Sequence, residues 1–354
     1  MLYYTIIGCD NAGFTNQIFY LITGIINAYK QGCKIVVVAN FLNDINKKKY
    51  TPISEIFDIK ETNNFLKNNY DIIIVDKDNI SFELISFYYG TCELDYIDLT
   101  DVIKNRYVNK NNLFINKNTS FNEIKGDPCY GKIKKVIIKY KINDYYFEQT
   151  YNEKLMDNID INFNGSYIAK MEWINSFNNN MFDKILTNIK YNNTYILHSE
   201  LMINKINKNN KINVIHLRLE NDGIIHWSRM NKISPNEYKN VIENKYINLI
   251  TKYLNKSDEN IIVSSSLSNG VIHFLNQHNY NYKFIDKCFD DREKNAIIDL
   301  LISKYCNNVF IGNFNIHKSN GSTFSYYMWK YINDNVSKIY IDLDKIYDNE
   351  VVVN

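Results

Sequence analysis

Apolar residues follow two rhythms along this chain, and the alternation between them predicts most of its elements. The first run, Tyr3 to Ile7, reads as a strand and leads into the turn Gly8-Cys9-Asp10-Asn11-Ala12-Gly13. Ile18, Leu21, Ile22, Ile25, Ile26 and Tyr29 then recur at the spacing of a helix with one buried face. Gly32 stands where a left-handed helix cap belongs. Ile35 to Val38 is a β-branched run, hence a second buried strand, and Asp71 to Val75 reads as a third. Strand, helix, strand in so short a span is a βαβ unit and predicts a parallel sheet. From Ser81 to Lys190 the rhythm is weaker; only Lys132 to Tyr140 reads as containing a strand.

Alternation resumes after the polar stretch Lys205–Lys211, which reads as the connection between two halves, 1–204 and 205–354. The strand Asn213–Arg218 comes first. Ser234-Pro235-Asn236-Glu237 has the pattern of a capped helix start, with Ser234 as N-cap, Pro235 in the first turn and Glu237 completing a capping box. Strands follow at Ile261–Val263, Phe284–Ile285, Val309–Ile311 and Lys338–Leu343, with helices to about Gln277, over Glu293–Tyr305 and from near Thr323. The second half is predicted as a doubly wound α/β domain, which binds ligands beyond the carboxyl ends of its strands.

One segment departs from the expected pattern. In Val214-Ile215-His216-Leu217-Arg218-Leu219-Glu220-Asn221-Asp222, four ionisable residues fall at every second position. In an extended chain they share one face. Unpaired charges almost never go inside, so that face is expected to look into a ligand crevice. Arg218 offers a planar fork that suits a diphosphate; the alternative is an internal network with Glu220 or Asp222. The turn ending Gly13-Phe14-Thr15-Asn16-Gln17 offers backbone N–H groups at a helix start, for phosphate or merely for a tight turn. Asp299 lies within the apolar run Ala296–Ile302, where a carboxylate needs either a ligand such as a guanine edge or a buried cation. Ser322, Thr323 and Phe324 open a helix, and small hydroxyls there cap it or hold phosphate. Trp227 is read as a sugar-stacking residue or a core one.

Composition narrows the classes. The 354 residues exceed what one core usually serves, and a net charge of +2 gives no electrostatic case for nucleic acid. The 29 tyrosines against 3 prolines, with abundant Asn, Lys and Ile, reflect A/T-rich codons such as a protist or large virus uses, so an isolated Asn, Lys or Tyr carries little weight. Six scattered cysteines show no metal spacing and read as free thiols. No run reaches membrane-spanning length and no signal peptide is evident, so a cytosolic protein is expected, in host cytosol if the source is viral. Asp290-Asp291 and Asp342-Leu343-Asp344 read as structural carboxylates, and no His cluster has ligand spacing.

Taken together, the motifs resemble the GDP-fucose-dependent fucosyltransferase superfamily, especially its protein O-fucosyltransferase-like branch, related to the α-1,2- and α-1,6-fucosyltransferases. Gly13-Phe14-Thr15-Asn16-Gln17 is similar to its early Gly-x-x-x-Asn-Gln turn. His216-Leu217-Arg218 with Glu220 and Asp222 resembles its His-x-Arg strand end. Ser322-Thr323-Phe324-Ser325 resembles its late hydroxyl-rich element, and Asp299 its upstream helical Asp. The chain departs from the pattern at Asp10-Asn11-Ala12 and throughout Ser81–Lys190, which would shape the acceptor site.

The resemblance implies an α/β GT-B fold, with two Rossmann-like domains and a nucleotide-sugar cleft between them. It implies an inverting transferase that moves fucose from GDP-fucose to a hydroxyl of a glycan or protein, without metal or cofactor. Arg218 would hold the diphosphate, and His216 would position Arg218 or contact the nucleotide. Asp299 would read guanine, and Ser322, Thr323 and Phe324 would contact phosphates and base. Gly13 and Asn16 would belong to the donor site, Asn16 reaching in from the opposite domain. Glu220, Asp222 and Asp10 are the candidates for general base. The alternatives are the same fold with another nucleotide sugar, or a nucleotide- or glycan-binding protein without catalysis.

Overall fold

The structure is a computed structural model. It describes residues 3–7, 12–39, 41–44, 49–92, 95–153, 157–161, 179–206, 211–344, 346–347 and 352–353. The chain forms two compact units. The first comprises residues 1–7, 27–39 and 70–169, the second 8–26, 40–69 and 170–354. Residues 180–203 therefore group with the C-terminal sheet, on the other side of a cut at 204/205.

In the first unit, β1 (Tyr3–Ile7), β2 (Ile35–Ala39) and β3 (Ile73–Asp76) form a parallel sheet in the order β1-β2-β3. The β-branched run of β2 is buried along its whole length, as a strand covered on both faces should be. A second sheet is antiparallel. It is built from β4 (Phe82–Gly90), β5 (Ile97–Asp98), β6 (Lys135–Ile142) and β7 (Tyr145–Asn152), in the order β7-β6-β4-β5. Val136, Ile138, Tyr140 and Ile142 alternate inward from β6 and share one core with Ile35, Val37, Ile73 and Val75. A register shift at Lys139/Tyr140 lets β6 pair with the longer β4.

The second unit is built on β8 (Ile212–His216), β9 (Glu259–Val263), β10 (Tyr282–Phe284), β11 (Val309–Gly312) and β12 (Ser337–Tyr340). These five are parallel, in the order β10-β9-β8-β11-β12, and a short antiparallel strand β13 (Val352–Val353) lies outside β12. The strand expected at Lys338–Leu343 is thus the last parallel strand but not the edge, and it stops at Tyr340.

The unit's helices include α1 (Phe14–Lys30, whose last turn belongs to the first unit), α2 (Asn180–Asn188), α3 (Asn193–Ile203), α4 (Asn221–Met230), α5 (Pro235–Tyr253), α6 (Gly270–Gln277), α7 (Arg292–Ser303) and α8 (Thr323–Tyr331), besides two helices over Ile53–Ile56 and Ile59–Tyr70. Their starts follow the sequence chemistry. Ser234 Oγ accepts from the Glu237 N–H at 3.2 Å, and Asp291 caps α7 through Glu293 and Lys294. At the end of α1, Cys33 N–H bonds Ala28 O and Gly32 N–H bonds Tyr29 O, with Gly32 at φ 69°. That is a Schellman ending, and its left-handed residue favours glycine.

Ile215, Leu217, Ile262, Ile311 and Ile339 from the sheet meet Tyr238, Ile242, Tyr246 and Leu249 from α5 in the core of this unit. Each such side chain contributes about 1.5–3 kcal/mol by leaving water. Trp227 is buried in the same core, its ring edge-on to His226 at 4.8 Å, so the core reading holds and the sugar-stacking one does not. The five cysteines among the described residues are all free.

Candidate active site

The site grows from the ends of β8 and β11. The strand β8 stops at His216, earlier than the alternating pattern suggests. Leu217 still bonds Val263 O at 3.0 Å, but Glu220 is an N-cap residue and Asn221 begins α4. Asp222 therefore comes from the first turn of a helix, where a carboxylate opposes the positive end of the helix dipole. The expected strand face with four ionisable residues is corrected: His216 alone lies in the strand, and a strand-to-helix turn brings in the other three.

That turn folds around Arg218. Its Nη1 donates to Glu220 Oε2 at 2.7 Å, and its Nη2 donates to Asp222 Oδ2 at 2.9 Å. The two arms differ in environment. The Glu220 side chain is 19% exposed, whereas that of Asp222 is 71% exposed. Glu220 is held from its other oxygen by Ser265 Oγ at 2.7 Å. Burial alone would raise the Glu220 pKa, but the field of Arg218, with the Ser265 hydrogen bond, outweighs it and holds the carboxyl below its ordinary value. Burial would likewise lower the Arg218 pKa, and the two carboxylates reverse that. Gly223 lies against the guanidinium; a Cβ there would sit 3.3 Å from Arg218 Nε. The internal network considered from sequence is therefore present, with one firm arm and one solvent-exposed arm.

His216 is 4% exposed. Its Nδ1 lies 2.6 Å from Ser325 Oγ, and its ring meets Phe324 edge-on at 5.2 Å. Burial pushes the imidazole pKa down to about 4, so it is neutral at ordinary pH. Beneath the turn, Tyr246 Oη donates to His216 O at 2.8 Å and accepts from the Arg218 N–H at 3.2 Å. Asn313, just beyond β11, donates to the same phenol at 2.6 Å.

The start of α8 joins this cluster. Ser322 is its N-cap residue, but the Ser322 side chain makes no capping bond. Thr323 Oγ1 donates to Asn16 Oδ1 at 2.8 Å, and Phe324 meets Phe14 edge-on at 6.4 Å. The first turns of α1 and α8 are thus side by side. Asn16 belongs to the same compact unit as Thr323, which corrects the expectation that it reaches in from the opposite domain. Gly13 precedes α1 with its carbonyl accepting from the Gln17 N–H at 3.2 Å, and a Cβ there would meet nothing within 4 Å. Residues 8–11, including Asp10, lie outside the described residues.

Asp299 is not bonded to this cluster. It sits in α7 with no hydrogen-bond or ion-pair partner among the described residues. Burial raises its pKa to about 7, against a weak opposing field from Lys287. The buried-ion-pair reading is not realised there. Asp342 accepts from Asn315 and Lys318, as a structural carboxylate does. Tyr246, Asn313, Ser265 and Gly223 complete the site without having been singled out in the sequence, and Ser325, named there only as the end of a motif, joins them.

No protein-family model matches the chain, and no curated protein matches it in sequence. Solved structures do match. NodZ α-1,6-fucosyltransferase co-crystallized with GDP superposes with a TM-score of 0.50 at 10% identity, over 100% of this chain and 99% of that one. The selenomethionine form of fucosyltransferase NodZ from Bradyrhizobium matches with a TM-score of 0.50 at 11% identity, over the same shares. The chain has the GT-B fold of the GDP-fucose fucosyltransferases. POFUT1 in complex with GDP also matches, with a TM-score of 0.47 at 11% identity, over 93% of this chain and 94% of that one. Within this GT-B chain, the Arg218 turn and the start of α8 stand at the carboxyl ends of β8 and β11, where an open α/β sheet takes its ligand. Among the described residues, no helix is long and apolar enough to cross a membrane.

Proposed function

We propose that the protein is an inverting glycosyltransferase that moves fucose from GDP-fucose to a hydroxyl of a glycan or protein. The observation that carries this reading is the Arg218 fork, held on its buried side by Glu220 and, among the described residues, paired on its outer side with the exposed Asp222. A diphosphate can displace Asp222 and take Nη2, while Glu220 keeps the guanidinium aimed. The two positions are then occupied by groups of the same charge, so exchange requires little rearrangement.

The start of α8 supports the same reading. With Ser322 making no cap, the first-turn N–H groups of α8 suit phosphate oxygens. In the transfer step, Arg218 stabilises the charge that builds on the diphosphate as the glycosidic bond breaks. Asp299, whose carboxyl is poorly solvated and lacks a partner among the described residues, suits the paired N–H donors of guanine. NodZ, whose fold the chain shares, was co-crystallized with GDP.

For the acceptor, Asp222 freed from Arg218 is a better general base than Glu220, which is engaged through both oxygens. No metal or cofactor takes part in this proposal. Titration calorimetry with GDP, UDP and dTDP tests it: GDP should bind and the pyrimidine nucleotides should not. Binding of UDP in preference to GDP would point to another nucleotide sugar. GDP binding without transfer or donor hydrolysis would point to a binding protein.

A further inference from the structure

His216 ends in a closed set of hydrogen bonds whose hydrogens can be counted. The His216 carbonyl can only accept, so the single phenol hydrogen of Tyr246, 2.8 Å away, goes to it. Tyr246 Oη then accepts from the Arg218 N–H and from Asn313 Nδ2. The same carbonyl orients the Asn313 amide. The atom 3.3 Å from it must be the nitrogen, because an oxygen there would set two acceptors against each other. Asn313 Oδ1 therefore faces Ser325 Oγ at 3.0 Å and takes the one hydrogen that Ser325 has. Ser325 Oγ also accepts the Asn313 backbone N–H at 3.0 Å. His216 Nδ1, 2.6 Å from that oxygen, finds no hydrogen on it and must be the donor. A neutral imidazole carries one N–H, so Nε2 is left with a lone pair. Among the described residues nothing bonds to it.

We infer that Tyr246, Asn313 and Ser325 are positioning residues that hold His216 as the Nδ1–H tautomer, so that Nε2 serves as an acceptor for a hydroxyl or N–H of the bound nucleotide sugar. This rests on the nucleotide-sugar reading of the site. The arrangement divides the work within one turn. Arg218 offers only donors and takes phosphate; His216 offers only a lone pair, which repels phosphate and selects a donor group. Tyr246 links the two, since it bonds both the His216 carbonyl and the Arg218 N–H. The charged groups whose fields reach the imidazole are Glu220 and Arg218, which act in opposite directions, and burial keeps the ring neutral.

The test is nitrogen NMR of the full chain labelled at histidine, with the His216 signal assigned by its loss in His216→Gln. At pH 7 the expected spectrum has Nδ1 in the protonated, pyrrole-type range and Nε2 in the unprotonated, pyridine-type range. Ser325→Ala should populate the other tautomer and weaken GDP-fucose binding in calorimetry by roughly five- to tenfold, the value of one neutral hydrogen bond. Ser325→Thr should restore both. A predominantly Nε2–H imidazole in the wild type, or an unmoved tautomer in folded Ser325→Ala, overturns the inference. If Ser325→Ala does not fold, the wild-type spectrum decides. A wild type that binds neither GDP nor GDP-fucose overturns the nucleotide-sugar reading and the ligand assigned to Nε2; the spectrum still judges the tautomer.

Discussion

Burial of His216 makes the stability of the C-terminal unit depend on pH in a way that can be worked through. The imidazole pKa falls from 6.5 to about 4 on folding, chiefly because burial penalises the charged ring. Between these values the unfolded chain binds the proton more readily than the folded one. The contribution is therefore fully present above the unfolded pKa and is lost as pH falls toward the folded one. From pH 7 to pH 5 the linkage amounts to about 2 kcal/mol. Asp299 acts in the opposite sense. Its folded pKa, raised to about 7 by burial, makes its contribution greatest at low pH and lost as pH rises through that value. The two partly cancel in the wild type, so the informative quantity is a difference. Urea unfolding of wild type and His216→Gln, followed by the fluorescence of buried Trp227 and Trp329 in the same unit, should give stabilities that converge by about 2 kcal/mol between pH 7 and pH 5. A difference that stays constant across this range would refute the neutral, buried imidazole.

Other substitutions separate holding from binding. Arg218→Ala should abolish turnover and weaken GDP binding roughly 30- to 100-fold in calorimetry. It should also destabilise the fold by about 1–3 kcal/mol, because among the described residues Glu220 then keeps Ser265 alone as a side-chain partner. Arg218→Lys keeps the charge but cannot reach both carboxylates, so its GDP affinity should lie between those of Arg and Ala. Asp299→Asn should stabilise the protein most at neutral and higher pH, measured by thermal melts, and should weaken GDP binding without changing UDP binding. Gly321→Ala should lower stability by at least about 2 kcal/mol. Gly321 stands at φ 128°, and a Cβ there would sit 2.3 Å from the Asn313 carbonyl oxygen.

The C-terminal sheet was legible because its strands carry buried apolar runs at Val214–Ile215, Ile261–Val263 and Val309–Ile311, and the starts of α5 and α7 carry strong caps at Ser234 and Asp291. Residues 81–190 were harder. The antiparallel β6 and β7 expose every second residue, and their outward Lys and Tyr side chains look like the compositional background of the whole chain. Arg218, His216 and Thr323 stood out as candidates because each combines a distinctive residue with a strand end or a helix start. The turn at Glu220 was missed. Asn221-Asp222-Gly223 fits a helix start as well as it fits an extended continuation, and the alternation of the preceding residues favoured the latter. Tyr246 packs its ring in the core with Tyr238, Ile242 and Leu249 of α5, so its spacing marks it as a core residue, although its hydroxyl ties the site together. Asn313 had no signal at all in a chain so rich in asparagine. Its role comes from three side-chain contacts, with His216 O, Tyr246 Oη and Ser325 Oγ.

The central claim is that this chain uses a GDP-linked sugar as donor through Arg218. The direct measurement is release of free nucleotide by purified protein from a panel of GDP-, UDP- and dTDP-sugars, run beside Arg218→Ala. The account predicts GDP release from GDP-fucose by the wild type, little from the other donors, and none from the variant. Turnover by Arg218→Ala at a near-normal rate, or release confined to a pyrimidine nucleotide sugar, would contradict it.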